Sequence, residues 1–205
     1  MSFLSVIFLA AGSSVRMETQ KQLLCLEQKP LFLYGLEKYL KSECDEVILV
    51  TGYNSNKLLN YVTFNEKLKT VFNKKYLDGM GSSIASGISC VSPKSDGVMI
   101  TFCDMPLISV EFINSFIAFW KKNPEFIAAP FFNEKRGNPV IFPKSLFFSL
   151  QKLDGDKGGS DIVFKNQNML KKYETFDESI FFDVDTKKDW KQFINGLDKY
   201  KERLK

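Results

Sequence analysis

Short apolar runs alternate along the chain with segments in which apolar residues recur every three or four positions. The runs EVILV and GVMITF are almost continuously apolar, as is typical of parallel strands that helices cover on both faces. The pattern predicts strands at Leu4–Leu9, Glu46–Val50, Lys69–Phe72, Gly97–Phe102, Ile127–Pro130, Pro139–Phe142 and Ser179–Val184. It predicts helices at Pro30–Lys41, Asn54–Phe64, Ser82–Ser89, Ser109–Lys122, Lys144–Gln151, Ser160–Lys165 and Lys187–Leu204.

Strands and helices that alternate with short connections predict an α/β fold. We expect one doubly wound, three-layer α/β/α domain over residues 1–205, with a mostly parallel, Rossmann-like sheet. In such sheets, ligands bind beyond the carboxyl ends of the strands. The loops that follow strands are therefore the first place to look for functional residues.

Composition narrows the chemistry. The 28 Lys and Arg residues only slightly exceed the 24 Asp and Glu residues and are spread along the chain, which argues against nucleic-acid binding and leaves a small anionic ligand open. The chain has no histidine, so histidine-dependent nucleophilic catalysis is excluded, and its four cysteines form no C-x-x-C pair, which argues against a zinc site. Carboxylates, lysines, backbone donors and an oxygen-binding metal ion remain.

The chain also lacks the pattern of a membrane protein. No apolar run approaches the ~18 residues that a membrane-spanning helix requires. No basic segment precedes the N-terminal apolar run, so we interpret that run as a strand rather than a signal peptide. We expect a cytoplasmic protein with no membrane partner.

The loop after the first predicted strand combines small residues with two cations. Ala10, Ala11 and Gly12 let a ligand approach the backbone, whose N–H groups can hold anionic oxygens. Arg16 and Lys21 add positive charge suited to phosphate. The spacing matches neither the P-loop nor the Rossmann dinucleotide motif. The alternative is an ordinary loop with surface cations.

A second loop, Tyr76–Gly87, places Gly79 ahead of a predicted helix that Ser82 and Ser83 would cap. A helix N-terminus offers free N–H groups and the positive end of the helix dipole to an anion or a base carbonyl. The alternative is a capped helix with no ligand.

Carboxylates follow two further predicted strands. Asp104 comes directly after a buried strand, and Mg²⁺ favours one or two carboxylates together with substrate phosphates. Asp183 and Asp185 share a face if the chain there is extended. The alternatives are a turn capped by Asp104 and a pair of solvated acids. Asp189 lies at capping-box spacing from Thr186, which indicates a structural role.

Two late segments are candidates for a second pocket. Lys135–Pro143 contains Arg136 and Asn138 before a short strand, and Leu153–Ile162 is a polar, glycine-rich turn before a helix. Each also fits an ordinary turn with a capped helix.

Six segments together resemble a known family: LAAGSSVRM with the following Lys21, GMGSSIASG, CDMP, GNPVIFP, GDKGG and DVDTKKD. In this order and at these intervals they are similar to the molybdenum cofactor nucleotidyltransferases, over about residues 4–195. They look most like the cytidylyltransferase branch, because the guanylyl branch usually reads Leu-Ala-Gly-Gly where this chain has Leu9-Ala10-Ala11-Gly12. The resemblance implies a nucleotide-binding part, about 1–108, and an acceptor-binding part, about 109–205.

The resemblance also implies roles for individual residues. The residues implied to bind the nucleotide are Leu9, Ala10, Ala11, Gly12, Ser13, Ser14, Gly79, Ser82 and Ser83. The residues implied to be catalytic are Arg16, Lys21 and Asp104, with Mg²⁺ held by Asp104 and Asp185, or by Asp183 in place of Asp185. The residues implied to bind the acceptor are Asn138, Gly155, Asp156, Lys157 and Gly158.

The chain departs from the family pattern at three places. The family usually has glycine where this chain has Glu18, beside the phosphate loop, and glycine where it has Cys103, before Asp104. The family's Gly-Asp-Lys-Gly-Ala-Arg ends here in Ser160, so a cation expected near the acceptor is missing. These changes leave the acceptor's identity open.

The implied reaction transfers CMP from CTP to molybdenum-bound molybdopterin and releases pyrophosphate. A molybdenum hydroxylase is a possible client of the product. Two rival hypotheses stay open. One is a transferase of the same fold that uses GTP or a sugar or polyol phosphate. The other is a non-catalytic protein that binds and delivers the cofactor.

Overall fold

The computed structural model describes residues 2–13 and 20–204. The strands are β1 (Leu4–Ala10), β2 (Cys25–Leu26), β3 (Lys29–Pro30), β4 (Glu46–Thr51), β5 (Leu68–Phe72), β6 (Gly97–Phe102), β7 (Ile127–Phe132), β8 (Lys135–Arg136), β9 (Val140–Pro143) and β10 (Leu170–Glu174). The helices are α1 (Leu31–Lys41), α2 (Ser55–Leu59), α3 (Met80–Ile88), α4 (Val110–Lys121), α5 (Phe147–Gln151), α6 (Gly159–Lys165), α7 (Lys187–Asn195) and α8 (Leu197–Tyr200).

The main sheet has the order β10-β7-β9-β6-β1-β4-β5, and β8 pairs with β7. Strands β6, β1, β4 and β5 are parallel neighbours, as are β7 and β10. Strand β9 runs antiparallel between β6 and β7. The carboxyl ends of the parallel strands and the beginning of β9 therefore lie along one edge of the sheet. The predicted mostly parallel α/β fold is confirmed.

Alternate residues of β1 pack into the two layers of helices. Val6 and Phe8 belong to the cluster that contains Phe116 of α4, whereas Ile7 belongs to the cluster that contains Ile84 of α3. The successive side chains of a strand point to opposite faces, so a strand that is apolar throughout requires apolar cover on both. The three-layer arrangement predicted from the runs of apolar residues follows directly.

The last predicted strand is wrong. Instead of a strand at Ser179–Val184, residues Glu178–Phe181 form a short 3₁₀ helix. Asp177 caps the start of this helix by accepting a hydrogen bond from the Ser179 N–H at 2.9 Å. The extended residues that follow bond to a loop, because the Val184 N–H donates to the Asp104 carbonyl at 3.0 Å. The strand that was not predicted is β10, which pairs with β7 at one edge of the main sheet. Its residues are partly buried or exposed, as is typical of an edge strand.

Four helices differ from the prediction by two or more residues at a boundary. Helix α5 begins at Phe147 rather than at Lys144, since Lys144–Leu146 form a 3₁₀ turn. Helix α2 ends at Leu59 rather than at Phe64, which is 92% exposed and has no core contact to extend the helix. Helix α3 begins at Met80, two residues before the predicted serine. The C-terminal helix is interrupted at Gly196, between α7 and α8. None of the helices in the described ranges is long and apolar enough to cross a membrane.

Candidate active site

A cavity of about 510 Å³ opens at the carboxyl edge of the sheet. Its lining residues are Leu9, Ala11, Gly12, Ser13, Lys21, Gln22, Tyr76, Gly79, Met80, Ser83, Phe102, Cys103, Asp104, Met105, Asn138, Asp156, Asp183 and Asp185. These residues come from the ends of β1 and β6 and the segments that follow them, from the turn after β5 and the start of α3, and from the segments before β9, α6 and α7. The location is the one that open α/β sheets offer to ligands.

Lys21 joins two carboxylates that lie far apart in sequence. Its Nζ donates to Asp104 Oδ2 at 2.5 Å and to Asp185 Oδ1 at 2.6 Å. The exposed fraction of the side chain is 15% for Lys21, 12% for Asp104 and 27% for Asp185. The loop after β1, the end of β6 and the segment before α7 therefore meet at one partly buried cluster of charges.

The pKa values in this cluster reflect burial and crowding of negative charge. Burial lowers the pKa of Lys21, but the charge of Asp104 and the hydrogen bonds to Asp104 and Asp185 outweigh it, and the net pKa is raised. Burial, together with the Asp104 and Asp185 carboxylates, raises the pKa of Asp183. Burial also raises the pKa of the Cys103 thiol, which is therefore protonated and not a nucleophile.

Val184 explains how both neighbouring carboxylates reach the cavity. Its side chain is fully buried with Leu107 and Phe193. Because side chains alternate along an extended segment, Asp183 and Asp185 share the opposite face, and both line the cavity. Asp189 lies outside the lining and completes a capping box with Thr186, as predicted.

The first loop is held against the end of β4. The side chain of Gln22, which is 1% exposed, donates to the Gly12 carbonyl at 2.7 Å. The Tyr53 N–H donates to the Ala11 carbonyl at 3.1 Å. Leu9, Ala11, Gly12 and Ser13 line the cavity, whereas Ala10 is buried in the core. Ser14, Arg16 and Glu18 lie outside the described residues.

Asn73, which the sequence analysis missed, shapes the second loop. Its buried amide donates to Ser82 Oγ at 2.9 Å and to Ser83 Oγ at 3.0 Å. Ser82 Oγ in turn donates to the Gly79 carbonyl at 2.9 Å, so this hydroxyl braces the turn instead of capping the helix. Gly79 and Ser83 line the cavity, and Ser82 is not among the lining residues.

The candidate acceptor residues divide into two groups. Asn138 and Asp156 line the cavity, whereas Gly155, Lys157 and Gly158 do not. Gly155 instead contacts the start of α3, where its carbonyl accepts a hydrogen bond from the Gly81 N–H at 2.8 Å. The Lys157 side chain is 68% exposed.

Arg136 contacts Ser160, the residue at which the sequence lacks the expected cation, and both line a second cavity rather than the one described above. Its Nη2 donates to Ser160 Oγ at 2.7 Å. Burial lowers the pKa of Arg136, and no carboxylate of the described chain lies within salt-bridge distance of it. A half-buried guanidinium without an acidic partner suits an anionic ligand.

Tyr76, Gln22, Phe102 and Met105 are lining residues that the sequence analysis missed. Tyr76 carried a usable signal, because it lies in the same strand-following loop as Gly79. Gln22 carried none, since a polar residue next to a lysine gives no sign of its burial.

The chemistry of the donor set fits a divalent cation. Asp104 Oδ2 and Asp185 Oδ1 contact the same nitrogen and so lie no more than about 5 Å apart. Small side-chain adjustments bring such oxygens to the ~2.1 Å ligand distance of Mg²⁺. No group of three potential metal ligands occurs within residues 2–13 and 20–204, so the remaining ligands would be phosphate oxygens and water.

The chain is similar to several proteins of known type. The chain is 25% identical over 203 residues to the molybdenum cofactor cytidylyltransferase of Escherichia coli K12, covering 98% of this chain and 100% of that one. It is 27% identical over 172 residues to the purine catabolism protein PucB of Bacillus subtilis 168, covering 80% of this chain and 82% of that one.

Among solved structures, the chain is similar to the Rv0371c homologue from Mycobacterium sp. strain JC1, with a TM-score of 0.82 and 26% sequence identity. The match covers 96% of this chain and 97% of that one. A nucleotidyl transferase from Methanothermobacter thermautotroptrophicus has the same fold, with a TM-score of 0.79, 16% identity, and 97% and 99% coverage. The family model described as the MobA-like NTP transferase domain matches residues 6–170. The chain belongs to this family and is a nucleotidyltransferase.

Proposed function

We propose that this protein transfers CMP from CTP to molybdenum-bound molybdopterin and releases pyrophosphate, with Mg²⁺ as cofactor. The observation that carries the proposal is the Lys21–Asp104–Asp185 cluster, which lies in the same cavity as the glycine-containing loops that follow β1 and β5. A cation and two carboxylates at this place suit a metal-bound polyphosphate. The E. coli cytidylyltransferase, aligned over nearly the whole of both chains, supports the choice of CTP and of the acceptor.

The reaction needs no covalent intermediate. An oxygen of the acceptor phosphate forms a bond to the α-phosphorus of CTP, and the bond from that phosphorus to the bridging oxygen of pyrophosphate breaks. A phosphate monoester has a second pKa of about 6 and is largely ionised near neutral pH, so no strong base is required. This is consistent with a chain that has no histidine.

The residues of this chain would position the reactants and offset negative charge. Lys21 would stabilise the departing pyrophosphate, with Arg16 in the same role as the resemblance implies. Asp104 and Asp185 would hold Mg²⁺, which, when bound, neutralises charge on the phosphate oxygens. Asn138 and Asp156, which line the same cavity, would contact the acceptor.

Pyrophosphate release tests the proposal. The assay combines the purified protein with Mg²⁺, molybdenum cofactor as acceptor, and either CTP or GTP. We expect release with CTP only, dependent on the acceptor, and none from Asp104→Asn, measured on variant protein that circular dichroism shows to be folded. Faster release with GTP would assign the guanylyl reaction. Binding of the cofactor without release would identify a delivery protein, from which a molybdenum hydroxylase could receive it.

A second variant separates two roles for Lys21. Lys21→Ala is expected to lower kcat by about 10²-fold or more if the ammonium acts mainly in the transition state. A rise in KM for CTP at unchanged kcat would limit Lys21 to ground-state binding.

A further inference from the structure

Tyr76 lies on the opposite side of the cavity from the charged cluster. The sheet order is β6-β1-β4-β5, and Asp104 follows β6, whereas Tyr76 follows β5 and packs on Gly52 at the end of β4. Two strand spacings separate β6 from β4, or roughly 10 Å. The loop that follows β1 lies between them. The cavity thus has a charged side and an aromatic side.

The backbone around Gly52 fixes the position of Tyr76. A Cβ added at Gly52 would lie 2.5 Å from Tyr76 Cβ and 2.7 Å from the Ala11 carbonyl oxygen. Only a glycine allows this approach, and it brings Tyr76 directly against the loop whose Ala11, Gly12 and Ser13 line the cavity.

Two further rings hold the Tyr76 side chain. Its ring centroid lies 6.4 Å from that of Tyr53 and 6.4 Å from that of Phe72, at interplanar angles of 53° and 55°. Tyr53 is 40% exposed and Phe72 is 51% exposed, and neither lines the cavity. Both contact Tyr76 from outside the cavity, and these contacts restrict the orientation of its ring at the cavity wall.

We propose that the nucleobase of the nucleotide substrate stacks on the Tyr76 ring, so that Tyr76 determines affinity for the nucleoside while the charged cluster binds the phosphates. This inference rests on the proposed function. Every base has a π face, so stacking on an aromatic ring supplies affinity without selecting a base. Tyr76 is therefore a nucleoside-binding residue and leaves the choice between cytosine and guanine to other contacts.

Calorimetric titration with two probes, CTP and inorganic tripolyphosphate, tests this role. Tyr76→Ala is expected to weaken CTP binding about 5- to 150-fold, the range found for loss of one base–aromatic stack, and to leave tripolyphosphate binding unchanged. Tyr76→Phe is expected to match the wild type with both probes. The matched control is Tyr61→Ala, since Tyr61 is 45% exposed and lies outside the cavity lining.

Tyr76→Leu keeps apolar bulk against Gly52 if the alanine variant fails to fold, and it is expected to weaken CTP binding severalfold. Equal CTP affinity in the wild type and in whichever of these two variants is folded would overturn the stacking role. An equal loss for CTP and tripolyphosphate would also overturn it, because the defect would then lie in the phosphate site. If the wild type binds tripolyphosphate but neither CTP nor GTP, the proposed function fails as well, and that result is distinguishable from the other two.

Discussion

Removing the Lys21 charge is expected to destabilise the fold as well as to impair turnover. In Lys21→Met, the apolar stem is kept and Asp104 and Asp185 lose a shared cation that lies within 2.6 Å of both. Loss of one partner from a buried ion pair costs about 3–5 kcal/mol, because a charge remains desolvated. Since Asp185 is 27% exposed, we expect the lower end, about 3 kcal/mol.

Lys29→Met is the matched control. The Lys29–Glu37 ion pair has a similar distance, 2.7 Å, but its side chains are 29% and 40% exposed. Exposed pairs contribute about 0.2–1 kcal/mol, so this variant is expected to lose less than about 1 kcal/mol. Urea unfolding followed by tryptophan fluorescence measures both free energies. Equal losses in the two variants would refute the argument that burial of the Lys21 cluster sets the cost.

Gly79→Ala is expected to lower the free energy of unfolding by about 2 kcal/mol or more, since φ is +106° and the new Cβ would lie 2.4 Å from the Gly155 backbone. Gly12→Ala, whose Cβ would meet nothing nearer than 3.8 Å, is the control, and equal urea midpoints would contradict the expectation. Arg136→Ala is expected to raise KM for an anionic acceptor severalfold in steady-state assays and to leave KM for CTP unchanged, because its guanidinium lacks an acidic partner within the described chain. An unchanged acceptor KM would exclude that role. Burial, together with neighbouring positive charges, lowers the pKa of Lys38 from 10.5 to about 8, so the folded protein binds fewer protons than the unfolded chain between these values. The free energy of unfolding of the wild type should therefore rise relative to that of Lys38→Met between pH 8 and 10.5, by about 1.4 kcal/mol per pH unit. Urea unfolding measures both proteins across that range, and an unchanged difference between their free energies of unfolding would contradict the expectation.

The central strands could be predicted because burial on both faces leaves a simple signal. The continuous apolar runs of β1, β4 and β6 have no other stable place than the middle of a covered sheet. Strand β10 gave no such signal, because its exposed Lys171 and Lys172 suit an edge as well as a loop. The apolar residues of Ser179–Val184 mimic a strand, but Ile180 and Val184 pack into different clusters and the backbone pairs with a loop.

The candidate site could be predicted in part for the same kind of reason. A carboxylate or a glycine directly after a buried strand must lie at the carboxyl edge, and both Asp104 and Gly12 do. Asn73 and Tyr76 were missed because their contributions depend on tertiary contacts. Asn73 bonds to Ser82 and Ser83 across a turn, and Tyr76 packs against Gly52, and no local sequence pattern records such contacts. Arg136 is a further case, since its contact with Ser160 joins residues 24 positions apart.

The sequence by itself determined the α/β class, the parallel centre of the sheet, the absence of histidine chemistry and the loops in which the charged groups occur. Each of these depends on local composition or on the period of the apolar residues, which hold before the chain folds. Only the tertiary structure decided that Lys21, Asp104 and Asp185 meet within hydrogen-bond distance and that Tyr76 faces the same cavity. Those contacts join residues up to 164 positions apart, and the strand order that brings them together is a property of the whole packed sheet.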